Sequence, residues 1–419
     1  MDRTAEPTPV SPSASLTTKC CIAGGGPAGM MLGLLLARAG IDVVVLEKHS
    51  DFLRDFRGDT LHPSTLEVMH ELGLDDRLLA LPHQKVHELA GQFGDTGGIM
   101  ADFRHLPVRH PYIVLMPQWD FLNFLAGEAS RYPRFRHRMN AEATDLILHD
   151  GRVAGVAAET AEGMLHVKAE LVVDCTGRDS RLRARAGLSV QNLGAPIDVL
   201  WFRLSRQPAD TDQTGGRFDN GSIFVRLNRG DYWQCAHVIP KGGADAIRAR
   251  GIDAFRATVA PLLPFSTERA DELRSFDDVK LLSVAVDRLA TWHRPGFLCI
   301  GDAAHAMSPV GGVGINLAIQ DAVAAANILA GPLRSGTLSN DDLAEVQRRR
   351  LFPTRLTQAA QIFAQNRVLA PALAARQAVR APLPVRMLAR FPMLRRIPAR
   401  LIGMGVRPEH VRSPDRSRP

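Results

Sequence analysis

Two hydrophobic periods run through this chain of 419 residues, and the change from one to the other marks its elements. Lys19-Cys20-Cys21-Ile22-Ala23 is a short apolar run and predicts a buried strand. Met30-Met31-Leu32-Gly33-Leu34-Leu35-Leu36-Ala37-Arg38-Ala39 predicts a helix, and Asp42-Val43-Val44-Val45-Leu46 a second strand. Far along the chain, Gly296-Phe297-Leu298-Cys299-Ile300 predicts another strand, followed by a helix that starts near Gly314. Between them, at 191–278, apolar runs at 199–204, 221–227 and 232–240 are separated by turns and predict antiparallel strands. A helix is expected over 342–366, then short amphipathic pieces broken by prolines. Residues 1–17, rich in Pro, Ser and Thr, are expected to be a disordered leader. No internal repeat is visible.

Between the first strand and its helix stands Gly24-Gly25-Gly26-Pro27-Ala28-Gly29. Gly24 permits the tight turn, Gly26 lets backbone approach a pyrophosphate, and Gly29 lets helix and strand pack closely, so the free amides of the helix start face phosphate. Glu47 ends the second strand, about 20 residues on, where a dinucleotide fold sets an acid against ribose hydroxyls. An acid there favours an unphosphorylated adenosine ribose, as in FAD or NAD. Gly301-Asp302 closes the late strand beside a ligand crevice, and a buried Asp302 suits ribityl hydroxyls that donate to it. The helix start at Gly314-Ile315-Asn316 offers amides to an electron-rich ring. Ser308-Pro309-Val310-Gly311-Gly312-Val313 lacks bulk near its glycines, so backbone can press on a flat ring. A nicotinamide enzyme has no ribityl chain, so the two motifs together predict FAD. The fold class is α/β: a Rossmann-like FAD-binding domain, an interleaved antiparallel β-sheet substrate domain and a helical C-terminal tail. The FAD-binding domain is expected at 18–190 and 279–365, its pieces being roughly 18 to 80, 110 to 190 and 280 to 365. The sheet domain takes 191–278, and a basic C-terminal extension takes 366–419.

On these motifs the chain resembles the group A flavoprotein monooxygenases, the single-component aromatic hydroxylases of the para-hydroxybenzoate hydroxylase type, over roughly residues 18 to 365. The resemblance implies that Gly24, Gly26, Pro27, Ala28, Gly29, Glu47 and Lys48 hold the ADP half of FAD and Asp302 the ribityl and pyrophosphate region. Pro309, Gly312, Gly314, Ile315 and Asn316 would meet the isoalloxazine. Arg57 matches the family's arginine after the second strand. Gln118, in Met116-Pro117-Gln118-Trp119-Asp120, stands where many relatives carry an arginine against the flavin, with a plain helix-surface role as its alternative. The implied activity uses NAD(P)H and O2 to oxygenate an aromatic or polycyclic small molecule through a C4a-hydroperoxyflavin, chemistry of the kind found in secondary metabolism. The sheet would roof the flavin. Trp201, Arg203, Trp233 and His237 are candidate substrate-facing groups, with His62 or Asp59 beside the second strand. Pro309, His237 and Arg203 are the candidate catalytic residues, each with simple packing or surface exposure as its alternative. His305 is expected to be structural.

One family mark departs. The middle motif should read Gly-Ala-Asp-Gly-x-x-Ser, and here Asp174-Cys175-Thr176-Gly177-Arg178-Asp179-Ser180-Arg181 sets Thr176 in the place of the Asp thought to support FAD and NAD(P)H together. Threonine brings no charge, so Arg178, Arg181 and Arg183 could meet phosphate instead. Two alternatives follow from the same stretch: a flavin reductase of the geranylgeranyl reductase type acting on an alkene, and a non-catalytic flavin-binding protein. Halogenation is disfavoured, because Cys235-Ala236-His237-Val238-Ile239-Pro240 lacks both tryptophans of that family's signature.

Composition narrows the rest. At 45% hydrophobic content the chain can bury a large core. Five cysteines without metal spacing predict no metal site and a reducing cytoplasm. Neither an export signal nor a membrane span is expected. The formal charge of +7 is unevenly placed: from Leu343 onward sixteen arginines face three acids, a net of +13 that leaves −6 for the preceding residues. The tail is expected to cover the FAD domain, make a dimer contact or lie on an anionic membrane. Nucleic acid is not expected as a partner. The protein is expected to be a monomer or homodimer.

Overall fold

A computed structural model describes residues 14–53, 60–219, 221–375 and 381–416. Five parallel strands make up the larger part of one eight-stranded sheet. At its centre is β1 (Ala14–Ala23), flanked on one side by β2 (Val43–Leu46) and β3 (Phe135–Arg138), and on the other by β4 (Gly163–Asp174) and β5 (Phe297–Cys299). Ala23 is in register with both Leu46 and Asp174, and Asp174 with Cys299, so these strands end in line. All of β2 and the last four residues of β1 and β4 are buried, as a parallel sheet covered on both faces requires.

Helix α1 (Pro27–Arg38) covers this sheet and packs on α2 (Gly314–Ser335). Gly33 allows the approach: a Cβ there would stand 2.9 Å from the side chains of Phe135 and Val45. By length and composition α2 could cross a membrane, but it is a core helix of this domain, with 72% of its apolar stretch buried.

The second sheet has seven strands, in the order Lys280–Leu282, Ile197–Ser205, Tyr232–Pro240, Ser222–Asn228, Gly215–Asp219, Glu88–Phe93 and Thr96–Asp102. The three runs expected from alternation are neighbours in it. Its last two strands come from the stretch between the first two expected pieces of the FAD domain, so the sheet domain extends beyond 191–278 and the chain crosses between domains more than once. Period two separates its faces. Trp233, Cys235 and Ile239 join Phe255, Val259 and Leu262 in an outer core. Ala236 and Val238 join Ile197, Val199, Val284 and Leu369 on the other side, where Val310 of the cofactor domain packs.

Two expectations about the ends need correction or refinement. Residues 14–17 belong to β1 and not to a leader; 1–13 lie outside the described residues, as do Arg57 and Asp59. The late helix, α3 (Asn340–Ala364), starts at a Ser339/Asp342 capping box and runs into a π-helical turn, Gln365–Leu369. A five-residue helix, Ala370–Ala374, continues it, and two longer ones come after, α4 (Leu383–Arg390) and α5 (Arg396–Gly403). The final residues then strap the cofactor domain. His410 Nδ1 and the Val411 N–H meet the Glu71 carboxylate, and Arg38 Nη1 donates to the Ser413 carbonyl at 2.9 Å.

Candidate functional site

Three loops meet where β1, β4 and β5 end. Gly24 N–H donates to the Leu46 carbonyl at 2.8 Å, Cys175 N–H to Ala23 at 2.7 Å, and Ile300 N–H to Asp174 at 3.1 Å. Gly24 has φ +102°, and a Cβ on it would stand 2.4 Å from the Cys175 carbonyl. A Cβ on Gly29 would stand 1.9 Å from the Gly24 carbonyl, and one on Gly301 3.2 Å from the Ala28 and Ala318 methyls. The glycine turn and the Gly-Asp turn, almost three hundred residues apart in sequence, are therefore packed against each other at the carboxyl ends of parallel strands that flank β4, where open α/β sheets bind ligands.

Gly26 differs from its neighbours: a Cβ there would meet no protein atom within 4 Å. It precedes α1, whose start has no side-chain cap and no acid in its first turn. The helix thus presents bare amides to open space, a setting suited to pyrophosphate. Glu47 is buried beside it, accepting from Gly25 N–H at 2.9 Å and His49 N–H at 3.1 Å. Lys48 is exposed. This cradle, which a Cβ at position 26 would fill, fits FAD.

The middle loop is organised from below. Asp174 is fully buried; its Oδ1 accepts from Thr176 N–H at 2.9 Å and Thr176 Oγ1 at 2.7 Å, while Oδ2 accepts from Ser180 Oγ. Burial pushes this carboxyl up despite those bonds. Asp174 thus braces this loop from beneath and presents no charge at its surface. Arg178 reaches across to Asp302, Nη2 to Oδ2 3.6 Å, and donates to the Ser283 carbonyl at 3.1 Å. Asp302 is half-buried, not buried as expected. Of the other two arginines, Arg181 lies near Glu142 on the surface, and Arg183 is buried, donating to the Ala303 and Arg178 carbonyls. Arg178 and Arg183 both reach the Gly-Asp turn, but of the three only Arg178 meets the Asp302 side chain among the described contacts.

Asn316 closes the far end of the cleft. Its Oδ1 accepts from His62 N–H at 2.8 Å and Thr65 Oγ1 at 2.7 Å, and its Nδ2 donates to the Thr60 and Gly312 carbonyls. Asn316 is therefore a bolt between α2 and the segment after residue 59. Gly312 has φ +62°, and its open side abuts Thr60. Pro309, Gly314 and Ile315 are half-buried around it, and Gln118 opens the helix Gln118–Ala129, which packs on α1. His62 is buried, its Nδ1 2.7 Å from the Ile402 carbonyl and its Nε2 without a partner; burial lowers its pKa to about 4, so the ring is neutral near pH 7.

A buried charge network underlies the Gly-Asp turn. Asp321 Oδ2 accepts from Gly301 N–H at 3.1 Å and sits 2.6 Å from His305 Nε2; Arg350 Nε donates to Asp321 Oδ1 at 2.9 Å, and Arg350 Nη1 to Glu409 at 3.3 Å. Sequence reading expected His305 to be structural and missed the other three. A lone aspartate in the apolar run of α2 was the available signal.

The candidate substrate groups divide between the two faces of the second sheet. Trp201 packs on the inner side with Val225 and Val310, and Arg203, exposed on the same strand face, lies over the Tyr232 ring at 3.7 Å. His237 and Trp233 are corrections. Both share the strand face of Cys235 and Ile239 in the outer core, His237 edge-on to Phe255 and Trp233 stacked on Phe265. His237 is buried, its Nδ1 has no partner, and desolvation lowers its pKa to about 4. Alternation located the strand but not which face points inward.

The wider comparisons agree with this geometry. A family described as an FAD binding domain matches residues 17–360. The chain is 32% identical over 410 residues to 6-methylpretetramide 4-monooxygenase from Streptomyces rimosus, covering 97% of this chain and 96% of that protein. It is 30% identical over 327 residues to rifampicin monooxygenase from Rhodococcus hoagii, a longer protein of which the match spans 61%, against 72% of this chain. A probable FAD-dependent monooxygenase from Pseudomonas aeruginosa has the same fold, with a TM-score of 0.72 at 20% identity, covering 85% of this chain and 98% of that one. The chain belongs to the FAD binding domain family of flavoprotein monooxygenases, and is an FAD-dependent oxidoreductase.

Proposed function

We propose that this monooxygenase hydroxylates a polycyclic aromatic small molecule of the polyketide kind, held between the inner face of the seven-stranded sheet and the loop Pro309 to Gly314. The observation that carries the reading is the end-to-end match to an enzyme named for a pretetramide, supported by an inner sheet face that carries the flat and aliphatic groups Trp201 and Val225, with Val310 of the facing loop packed on the same cluster. FAD, when bound, supplies the oxygen-activating redox chemistry. The protein's part is placement. Gly26 and the start of α1 take the pyrophosphate, Glu47 the adenosine ribose, and Asp302 the ribityl hydroxyls. Arg178 balances the charge of Asp302. Gly312, Gly314 and Ile315 let backbone lie against the ring, fixed in place by Asn316. The sheet above excludes water and aligns the substrate edge. The five unpaired cysteines suit a reducing cytoplasm.

The test is turnover of the flavin-loaded protein with NADH or NADPH under ¹⁸O₂ with a panel of phenolic polycycles. The expected result is substrate-stimulated NAD(P)H consumption and one labelled oxygen in the product. A hydrogenated, unlabelled product would move the assignment to an alkene reductase. No nicotinamide consumption with any ligand would make the protein a flavin-binding scaffold.

A further inference from the structure

The two short tail helices turn apolar stripes outward. On α4, Leu383 and Met387 are four apart and Phe391 continues the spacing; on α5, Ile397 and Leu401 do the same, with Met393 in the turn between. All six are exposed, from 43% at Met387 to 74% at Met393. A helix whose only task is to cover its own domain buries such a stripe. Here α5 meets the domain through its small residues instead: Ala399 and Gly403 are buried, and a Cβ on Gly403 would stand 2.9 Å from Leu106. The outer side of α3 adds exposed Phe352, Leu356 and Phe363. Leu401 and Thr357 line one small cavity, so the end of α5 lies near the middle of α3.

Arginines surround these side chains. Arg386, Arg390, Arg396 and Arg400 are exposed, and from Glu345 to Glu409 the intervening chain holds thirteen arginines, no lysine and no acid. A second copy of this face would set like charges against each other. An anionic bilayer satisfies both features at once: headgroups meet the guanidinium groups, and the acyl boundary receives large side chains standing out singly from two short helices. We propose that this face docks the protein on an anionic lipid surface, with α4 and α5 lying at headgroup depth and the catalytic domains above it.

The experiment sediments the full-length, FAD-loaded protein with vesicles of phosphatidylcholine alone or mixed with phosphatidylglycerol. The protein is expected to pellet with the anionic vesicles only, and added salt to release it. Replacing Phe391→Ser, Met393→Ser and Ile397→Ser together should weaken binding about tenfold or more, with the flavin spectrum and NAD(P)H consumption unchanged. Replacing Arg386→Gln, Arg390→Gln, Arg396→Gln and Arg400→Gln should abolish the preference for anionic vesicles. Failure to pellet with them, equal binding to both vesicle types, or a triple-serine variant that binds as wild type overturns the proposal. So does a dimer in solution that the triple-serine variant dissolves.

Discussion

Arg350 Nε and Asp321 Oδ1 stand 2.9 Å apart, and neither side chain is more than 1% exposed. Because the other oxygen of Asp321 accepts the Gly301 N–H, this pair links α3 and the tail to the turn that presents Asp302. Burial alone would raise the Asp321 carboxyl, but His305 and Arg350 hold it below the ordinary value of 3.8. A carboxyl held low in the folded state adds stability above that value and forfeits it as pH falls through the folded pKa. Arg350→Met should cost about 3–5 kcal/mol and weaken FAD retention. Urea melts across acid pH should show the variant failing at a higher pH than wild type. Equal acid stability of the two proteins would mean that the pair contributes nothing.

Gly26 and Gly29 separate ligand from packing. Ala at position 29 has no room, so Gly29→Ala should lower the melting temperature of the flavin-free protein, as overpacking of about 1–3 kcal/mol or more does. Ala at position 26 meets open space in an ordinary extended backbone, φ −72°. Gly26→Ala should therefore fold as wild type and lose FAD affinity at least about tenfold, measured by flavin fluorescence titration. A flavin-free Gly26→Ala protein that melts early would show the position to be structural.

Asp302→Ala should yield folded protein with little bound flavin. The ratio of flavin to protein absorbance after purification measures it, and full occupancy would remove Asp302 from the ribityl site.

His237→Leu should leave turnover within about threefold, whereas loss of a general base costs roughly 10²–10⁴-fold. The pH dependence gives a second reading. A histidine lowered from 6.5 to about 4 stabilises the fold above pH 6.5 and loses that contribution as pH falls toward 4, roughly 3 kcal/mol in all. The variant should lack this share of the slope, while His62, also lowered to about 4, keeps its own.

Thr176→Val removes a hydroxyl donor from a fully buried carboxylate, and should cost about 1–3 kcal/mol. Thr176→Asp, which restores the family residue, would set a second carboxylate against Asp174 and should be no better. If Thr176→Asp were instead more stable and bound nicotinamide more tightly, the brace at Asp174 would be the wrong account of this loop.

The parts of the site legible in the sequence are those whose meaning is local. The turn from Gly24 to Gly29 carries strand, glycines and helix within one short stretch, and Gly301-Asp302 carries its strand with it. Period two identified Tyr232–Pro240 as a strand, but an alternation offers two faces and does not say which meets the other domain; His237 was misassigned for that reason. Arg350 and Asp321 are 29 residues apart on different helices, and His62 and Ile402 are 340 apart. Such contacts exist only once the tail is folded back, and no spacing in the chain encodes them.

Glu409 braces Arg349 and Arg350, and the Arg416 N–H reaches the Arg38 carbonyl at 2.9 Å, at the end of the first helix. The helix that begins at the glycine turn is thus held at its far end by residues 375 positions later in the chain. The surroundings of the flavin cradle therefore close only when the chain has folded back over nearly the whole of its described length, and a substitution at Ser413 or Arg416 would act on that helix from outside the site.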